Sequence, residues 1–219
     1  MSLRVALIDC DELVREGRSL LIQSQAENQI VYQSGDAAQA LASVGDYLLD
    51  LILVDIRLPG WQSDKYLLEL SNRLDQAGND AAILAMASFT SPQLELACLR
   101  AGASAIFSAD RGVEALLAQI KVVGSGEQVI EPGKLKKLLR EVGGTPAPNS
   151  SLALSLENLD DKQREVVEAL LAGLSDSQIS KNLDLTKYRV TKFIESLRQA
   201  NGFRTRTQLA IELIGLGKF

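Results

Sequence analysis

Short apolar runs alternate with amphipathic stretches through the first 124 residues of the chain. The apolar runs are typical of β-strands and occur at 4–8, 29–34, 50–54, 82–87 and 105–107. Apolar residues at helical spacing fill the intervals and predict helices over 12–24, 37–44, 65–76, 92–100 and 112–123. Because parallel neighbouring strands need crossover helices, this order predicts an α/β fold with a doubly wound, five-stranded parallel sheet.

The last third of the chain has helical spacing only, and polar residues divide it into short helices. A first helix ends at Gly173, and the hydroxyl of Ser175 is suited to cap a second. Asp184 and Leu185 allow only a tight turn before Thr186, which is suited to cap a third helix. Two short helices, a tight turn and a third helix are typical of a helix-turn-helix, so we predict an all-α domain of this type.

The third helix of this segment has an apolar stripe on one side and a basic, hydroxyl-bearing surface elsewhere. A polar face is often no more than a solvated surface, but here eight Lys and Arg against three acids lie in residues 181–219 of a chain with net charge -5. This concentration of positive charge favours double-stranded DNA as a partner. The candidate DNA-binding residues are Lys187, Tyr188, Arg189, Thr191 and Lys192.

Glycine and proline in the middle of the chain indicate a linker between the two patterns. We predict a domain over 1–124, a linker over 125–154 that contains a short helix at 134–142, and a helix-turn-helix domain over 155–219. No apolar run approaches the length of a membrane span, and the N-terminus has no signal-peptide pattern, so we expect a cytoplasmic protein that does not bind membranes. Cys10 and Cys98 are too few for a disulfide framework, and we expect both to be reduced.

Acidic residues follow two of the predicted strands, where ligands bind in such sheets. Asp9 and Asp11 follow the first strand, and Asp55 ends the third. A strand-end aspartate is commonly a cap for the next loop or helix. Because clustered carboxylates repel one another, acids from two strand ends also favour a hard cation such as Mg²⁺, with Asp9, Asp11 and Asp55 as candidate ligands.

The C-terminal segment resembles the LuxR-type helix-turn-helix of the NarL/FixJ class of response regulators. One departure from that family is Asp184, which stands where glycine is usual at the turn; aspartate tolerates the left-handed conformation better than most residues. The resemblance implies a DNA-binding transcriptional regulator. The matching residues are Leu159, Arg164, Glu165, Val166, Leu170, Gly173, Leu174, Ser175, Gln178, Ile179, Ser180, Leu183, Val190, Leu197 and the run from Arg204 to Gln208.

The N-terminal segment is similar to the receiver domain of response regulators, which has a flavodoxin-like fold. The likeness lies in residues 8–17, in Val54-Asp55 with Leu58-Pro59-Gly60, and in residues 100–103. It implies that Asp55 accepts a phosphoryl group from a partner histidine kinase. It also implies that a carboxylate pair after the first strand helps to hold Mg²⁺, which offsets the charge of the phosphoryl group.

Three positions depart from the receiver pattern. Cys10 replaces the second acid of the pair, Ala87 replaces a hydroxyl, and Ala109 replaces a lysine that pairs with the phosphate. Losing a metal ligand and a cation weakens phosphoryl capture and retention. We therefore expect weak Mg²⁺ binding and an atypical receiver that is poorly phosphorylated at Asp55.

Three other functions stay open at this point. The first is a conventional response regulator that a histidine kinase switches by phosphorylating Asp55. An α/β enzyme would need a nucleotide or flavin site, but neither GxxxxGK[ST] nor GxGxxG occurs in the sequence. A redox sensor that uses Cys10 would need an unusually acidic thiol.

The last predicted helix, over 208–216, has more apolar positions than one small helical core requires. We therefore expect part of it to contact a twofold-related copy in a homodimer. The candidate dimerisation residues are Leu209, Leu213 and Leu216.

Overall fold

The computed structural model describes residues 2–25, 28–125, 133–142 and 150–217. Its internal contacts divide the chain into two compact units, Met1–Gly126 and Glu127–Phe219. Within the described ranges, no helix is both long and apolar enough to cross a membrane.

The first unit is a five-stranded parallel sheet with the strand order β2-β1-β3-β4-β5. The strands are β1 Leu3–Ile8, β2 Asn28–Ser34, β3 Leu51–Asp55, β4 Ala82–Ala87 and β5 Ala105–Ser108. The connecting helices are α1 Glu12–Gln23, α2 Ala37–Ser43, α3 Ser63–Gln76, α4 Pro92–Arg100 and α5 Gly112–Gly124. The predicted α/β fold is therefore confirmed.

Both faces of this sheet are covered by helices, which explains why its central strands are apolar without interruption. Successive side chains of a strand point to opposite faces. Alternate residues such as Ile52 and Val54 therefore pack with α2, α3 and α4 on one side. Their neighbours Leu51 and Leu53 pack with α1 and α5 on the other side, against Ile22 and Ile120. The two layers hold the strand ends, and the acids that follow them, in fixed positions.

The second unit is entirely helical among its described residues. Its helices are α6 Lys134–Val142, α7 Ser150–Glu157, α8 Asp161–Leu171, α9 Asp176–Leu183, α10 Lys187–Ala200 and α11 Arg206–Leu216. Asp160, Ser175 and Thr205 each form a reciprocal capping box with the glutamine three residues later. These caps fix the starts of α8, α9 and α11.

Helix α7 was not predicted from the sequence. Its Leu152 and Leu156 are buried in the core of the second unit, together with Val166 and Leu209. The predicted domain boundary between residues 154 and 155 therefore falls inside a helix that packs in this core. The rest of the predicted linker, apart from 125, α6 and Gly133, lies outside the described residues at 126–132 and 143–149.

Candidate functional site

The carboxyl edge of the sheet brings Asp9 and Asp55 side by side. Ile8 of β1 pairs with Val54 of β3, so the next residue of each strand emerges at the same level. Both aspartates are only 1% exposed. Two buried carboxylates this close together require compensating positive charge or a shared proton.

Two arginines supply that positive charge. Arg18 reaches in from α1, and its Nη1 atom contacts Asp9 Oδ2 and lies 3.4 Å from Asp55 Oδ2. Arg57 donates from Nε to Asp55 Oδ1 at 3.0 Å and from Nη2 to Oδ2 at 2.9 Å. The backbone N–H of Arg57 also donates to Oδ1 at 3.0 Å. Asp55 is thus held by a bidentate arginine on one side and approached by a second guanidinium on the other.

The environment moves the pKa values of the two carboxyl groups in opposite directions. Burial, together with the charges of Asp55 and Asp11, raises the pKa of Asp9 above its ordinary value, although the Asp11 amide and the Arg18 charge lower it. Burial also raises the pKa of Asp55, but the hydrogen bonds and charge of Arg57, together with Arg18, outweigh it and leave that pKa below its ordinary value. The ionised form of Asp55 is therefore the one that the pocket stabilises.

The side chains of Asp11 and Cys10 contact backbone groups. The Asp11 side chain accepts a hydrogen bond from the N–H of Val14 at 3.0 Å and so caps α1, while its own N–H donates to Asp9 at 2.9 Å. The Cys10 thiol lies 3.7 Å from the Arg57 carbonyl oxygen. In the described part of the chain, no three side chains of His, Cys, Asp or Glu are grouped to hold a metal ion. The predicted metal-ligand set Asp9, Asp11 and Asp55 stays a prediction, and in this structure Asp11 serves as the cap of α1.

Sequence reasoning missed the arginines at this pocket. Arg111, the cation nearest to Ala109 in the sequence, lies over the Phe107 ring, with its guanidinium 5.4 Å from the ring centre. Arg15 and Arg18 are one helical turn apart on α1, and Arg15 donates to the Asp9 carbonyl oxygen at 2.7 Å. The sequence signal that could have revealed this contact is a pair of arginines three residues apart on the helix that follows Asp9.

The turn before α10 has the geometry of a helix-turn-helix. Asp184 ends α9 in the left-handed conformation, with a φ of 52°. Thr186 then caps α10 by accepting a hydrogen bond from the N–H of Arg189 at 3.3 Å. The sequence prediction of an aspartate that replaces glycine at this turn matches the backbone seen here.

The first turns of α10 expose the predicted basic residues. Lys187 and Arg189 are exposed, and Tyr188 is 71% exposed. Lys192 is also exposed, and its Nζ atom lies 2.8 Å from Glu195 Oε2. These four side chains occupy the solvent side of the helix, while Val190 is buried in the core.

Thr191 has a different role from the one predicted for it. It is half-buried, and its hydroxyl donates to Asp176 Oδ2 of α9 at 2.7 Å. Arg206 of α11 contacts the other oxygen of Asp176 and donates to the Leu174 carbonyl oxygen at 2.6 Å. This network ties α10 to α9 and α11, so the Thr191 hydroxyl holds the helix in place and is not directed at a ligand.

The predicted dimerisation residues differ in accessibility. Leu209 and Leu213 are fully buried in the core of their own unit, so the prediction is wrong for these two. The core of the second unit includes α7 and needs more apolar residues from α11 than the sequence indicated. Leu216 is partly exposed and keeps some surface for a second copy.

Comparison with known proteins relates both units to one class. No protein-family model matches the chain. The DNA-binding transcriptional activator DevR/DosR of Mycobacterium tuberculosis is 28% identical over 209 residues, which cover 95% of this chain and 92% of that protein. The nitrate/nitrite response regulator NarP of Escherichia coli is 25% identical over 208 residues, which cover 95% of this chain and 93% of that protein.

A solved structure has the same fold over almost the whole chain. The RcsB response regulator of Salmonella typhimurium matches with a TM-score of 0.54 and 14% identity, and the match covers 97% of both chains. The likeness thus includes the parallel sheet and the helical unit together. The relatives are response regulators, and the likeness in sequence and fold is consistent with the NarL/FixJ class.

Receiver domains of response regulators bind Mg²⁺ at the phosphorylation site. The residues of this pocket do not fit that ion. Arg57 holds both oxygens of Asp55, Arg18 contacts Asp9, and Asp11 caps α1. A divalent cation would have to displace a guanidinium, and it would find a thiol at Cys10 where an oxygen ligand is required.

Proposed function

We propose that this response regulator controls transcription by binding double-stranded DNA through the exposed N-terminal half of α10. The observation that carries the proposal is the solvent-facing group of Lys187, Tyr188, Arg189 and Lys192 on a helix fixed by a helix-turn-helix. Its relative DevR/DosR is described as a DNA-binding transcriptional activator, which supports the same role here and not an enzymatic one. We place the protein in the cytoplasm and expect it to act as a homodimer.

The arrangement suits a DNA reader for two reasons. Side chains near the N-terminus of a recognition helix reach base edges in the major groove. Lys192 and Tyr188 are exposed on the outward face of α10 and are therefore the candidates for this role. Lys187 and Arg189 are placed to contact backbone phosphates, which supply most of the salt-dependent affinity.

Two lysine substitutions test this division of roles. We expect Lys192→Ala to weaken binding to the specific operator roughly tenfold and to relax sequence choice. Lys187→Ala should weaken specific and random duplexes alike and reduce the salt dependence. Titrations of the full chain with both duplexes at several salt concentrations measure both effects. Glu195→Gln is the control, because it removes the negative charge that pairs with Lys192 and leaves the lysine in place. Equal losses on specific and random DNA for Lys192→Ala would contradict base reading.

Sedimentation of the same complex with one protein chain per operator would contradict the homodimer.

We also propose that the receiver is poorly phosphorylated at Asp55, so that a histidine kinase does not control the regulator through this residue. Arg57 engages both oxygens of the acceptor carboxylate. Cys10 and Ala109 stand where the class uses a metal ligand and a phosphate-pairing lysine. Each of these features opposes the metal-assisted charge stabilisation on which phosphoryl transfer depends. The alternative is a conventional response regulator with a partner histidine kinase.

Labelling by a phosphodonor separates these two possibilities. After incubation with a small-molecule phosphodonor and Mg²⁺, we expect intact-mass spectrometry to find most of the protein unmodified. Asp55→Asn should leave DNA affinity nearly unchanged, because an unphosphorylated Asp55 contributes no switching free energy. The double variant Cys10→Asp/Ala109→Lys should carry more phosphate at Asp55 than the parent. Rapid, stoichiometric labelling of the parent, accompanied by tighter DNA binding, would establish the conventional alternative instead.

A further inference from the structure

Arg18 occupies the space between the two buried carboxylates of the receiver pocket. Its Nη1 atom contacts Asp9 Oδ2 and is 3.4 Å from Asp55 Oδ2, so one nitrogen faces both acids. The side chain is only 13% exposed. A cation that faces an oxygen from each of two strand ends is the arrangement expected of a bridging metal ion.

The helix that carries Arg18 is itself fixed. Asp11 caps the first turn of α1, and Ile22, one turn after Arg18, is fully buried against the sheet. Ser19 is buried beside it. Because residues four apart on a helix lie on one face, burial of Ile22 directs Arg18 along the sheet towards the strand ends.

We propose that Arg18 is a built-in cation that takes the place of the divalent metal ion between Asp9 and Asp55. Two carboxylates and the guanidinium groups of Arg18 and Arg57 add up to a formal charge of zero. A divalent ion that entered this pocket would find no net negative charge to attract it and would have to expel a tethered group. The pocket of the parent protein is therefore closed to metal ions.

The two arginines are not equivalent in this role. Arg57 is 58% exposed and pairs with Asp55 from the outer side, whereas Arg18 lies between the acids. Removing Arg18 leaves a buried aspartate pair with excess negative charge, and hard oxygen ligands of this kind bind Mg²⁺ and Mn²⁺. Loss of this one side chain should therefore create a divalent-cation site that the parent lacks.

Metal titration of the full chain tests the proposal. Mn²⁺ binding is measured by electron paramagnetic resonance, and the melting temperature of the receiver unit is recorded with and without millimolar Mg²⁺. We expect Arg18→Ala to bind Mn²⁺ at least about tenfold more tightly than the parent, because a positive charge has left the pocket. Mg²⁺ should raise the melting temperature of this variant and leave that of the parent unchanged, since only a ligand that binds the folded state stabilises it. Arg18→Gln, which keeps most of the side-chain length without the charge, provides the same comparison if the alanine variant folds poorly.

Arg15→Ala is the matched control. Arg15 lies one turn earlier on the same helix and donates to the Asp9 carbonyl oxygen, not to a carboxylate. Its loss should leave metal binding at the level of the parent, and Arg18→Ala/Asp55→Asn should lose the affinity that Arg18→Ala gained. Equal Mn²⁺ affinity in the parent and in both Arg18 variants would overturn the proposal, as would a gain that survives Asp55→Asn. The inference rests only on the receiver part of the proposed function, and because its readout involves no DNA, a failure of DNA binding would leave this result intact.

Discussion

Leu152→Ala should lower the free energy of unfolding of the C-terminal unit by about 2 to 5 kcal/mol. Leu152 lies on α7, is fully buried, and packs in the same core as Val166 and Leu209. Truncation removes apolar contacts and leaves a cavity that the surrounding helices fill only in part. Denaturant unfolding followed by far-ultraviolet circular dichroism measures the change. Tryptophan fluorescence would not serve, because the single tryptophan, Trp61, belongs to the N-terminal unit.

Leu154→Ala provides the matched comparison. Leu154 is on the same helix but is 62% exposed, so the substitution changes helix propensity equally without opening a cavity. We expect a loss of less than about 1 kcal/mol for this variant. Similar small losses in both variants would mean that α7 is not part of the folded core.

Asp176→Ala should destabilise the C-terminal unit by about 2 to 4 kcal/mol and also weaken DNA binding. The Asp176 carboxylate accepts from the Thr191 hydroxyl and pairs with Arg206, and both charged side chains are largely buried. Removing it takes one acceptor from the Arg206 guanidinium, which keeps the Leu174 carbonyl oxygen, and takes the Asp176 acceptor from the Thr191 hydroxyl. The polar link of α10 to α9 and α11 through Asp176 is then lost. Chemical unfolding measures the first effect, and operator titration under conditions where the variant is folded measures the second.

Asp161→Ala separates this network from a general effect of helix charge. Asp161 and Asp176 are each the first residue of a helix, and each follows a residue that forms a capping box. An acid at this position interacts favourably with the helix dipole, so both substitutions lose that contribution. Asp161 is exposed, and we expect its removal to cost less than about 1 kcal/mol. If the two variants lost the same stability, the pairing with Arg206 and Thr191 would have no measurable value.

The sequence was sufficient for most of the fold because its local signals agree with the tertiary structure. The buried run of β3 is apolar on both faces, and this is the pattern that a parallel sheet with two helical layers requires. Gly173, Ser175 and Thr186 mark helix ends through backbone conformation and hydrogen bonds that depend only on neighbouring residues. Such signals can be read without knowing what packs against them.

Helix α7 was missed because its local signals are weak. The segment Ser150–Glu157 contains three serines and follows a stretch rich in glycine and proline, so its composition resembled a linker. Leu152 and Leu156 are four residues apart, but two apolar positions at this spacing are too few to define a helix. Only their burial beneath α8 and α11 residues gives the helix its stability.

Distances between side chains were the other limit. The sequence correctly indicated that Asp9 and Asp55 follow strands whose ends share an edge. It could not indicate that Arg18 reaches between them, because that contact depends on how α1 packs on the sheet. The same limit applied to Thr191, whose hydroxyl meets an acid fifteen residues away.

The contrast between the two cysteines makes the native sequence convenient for site-directed labelling. Cys98 is fully buried on α4, so labelling reagents do not reach it. Burial also raises the pKa of its thiol to about 12, which keeps the thiol protonated and unreactive. Cys10 is exposed and lies next to Arg57 at the carboxyl edge of the sheet. A maleimide-linked fluorophore or spin label can therefore be attached at one defined position beside the pocket without removing any cysteine. Movements of that edge when a partner protein binds can then be followed in the unmutated chain.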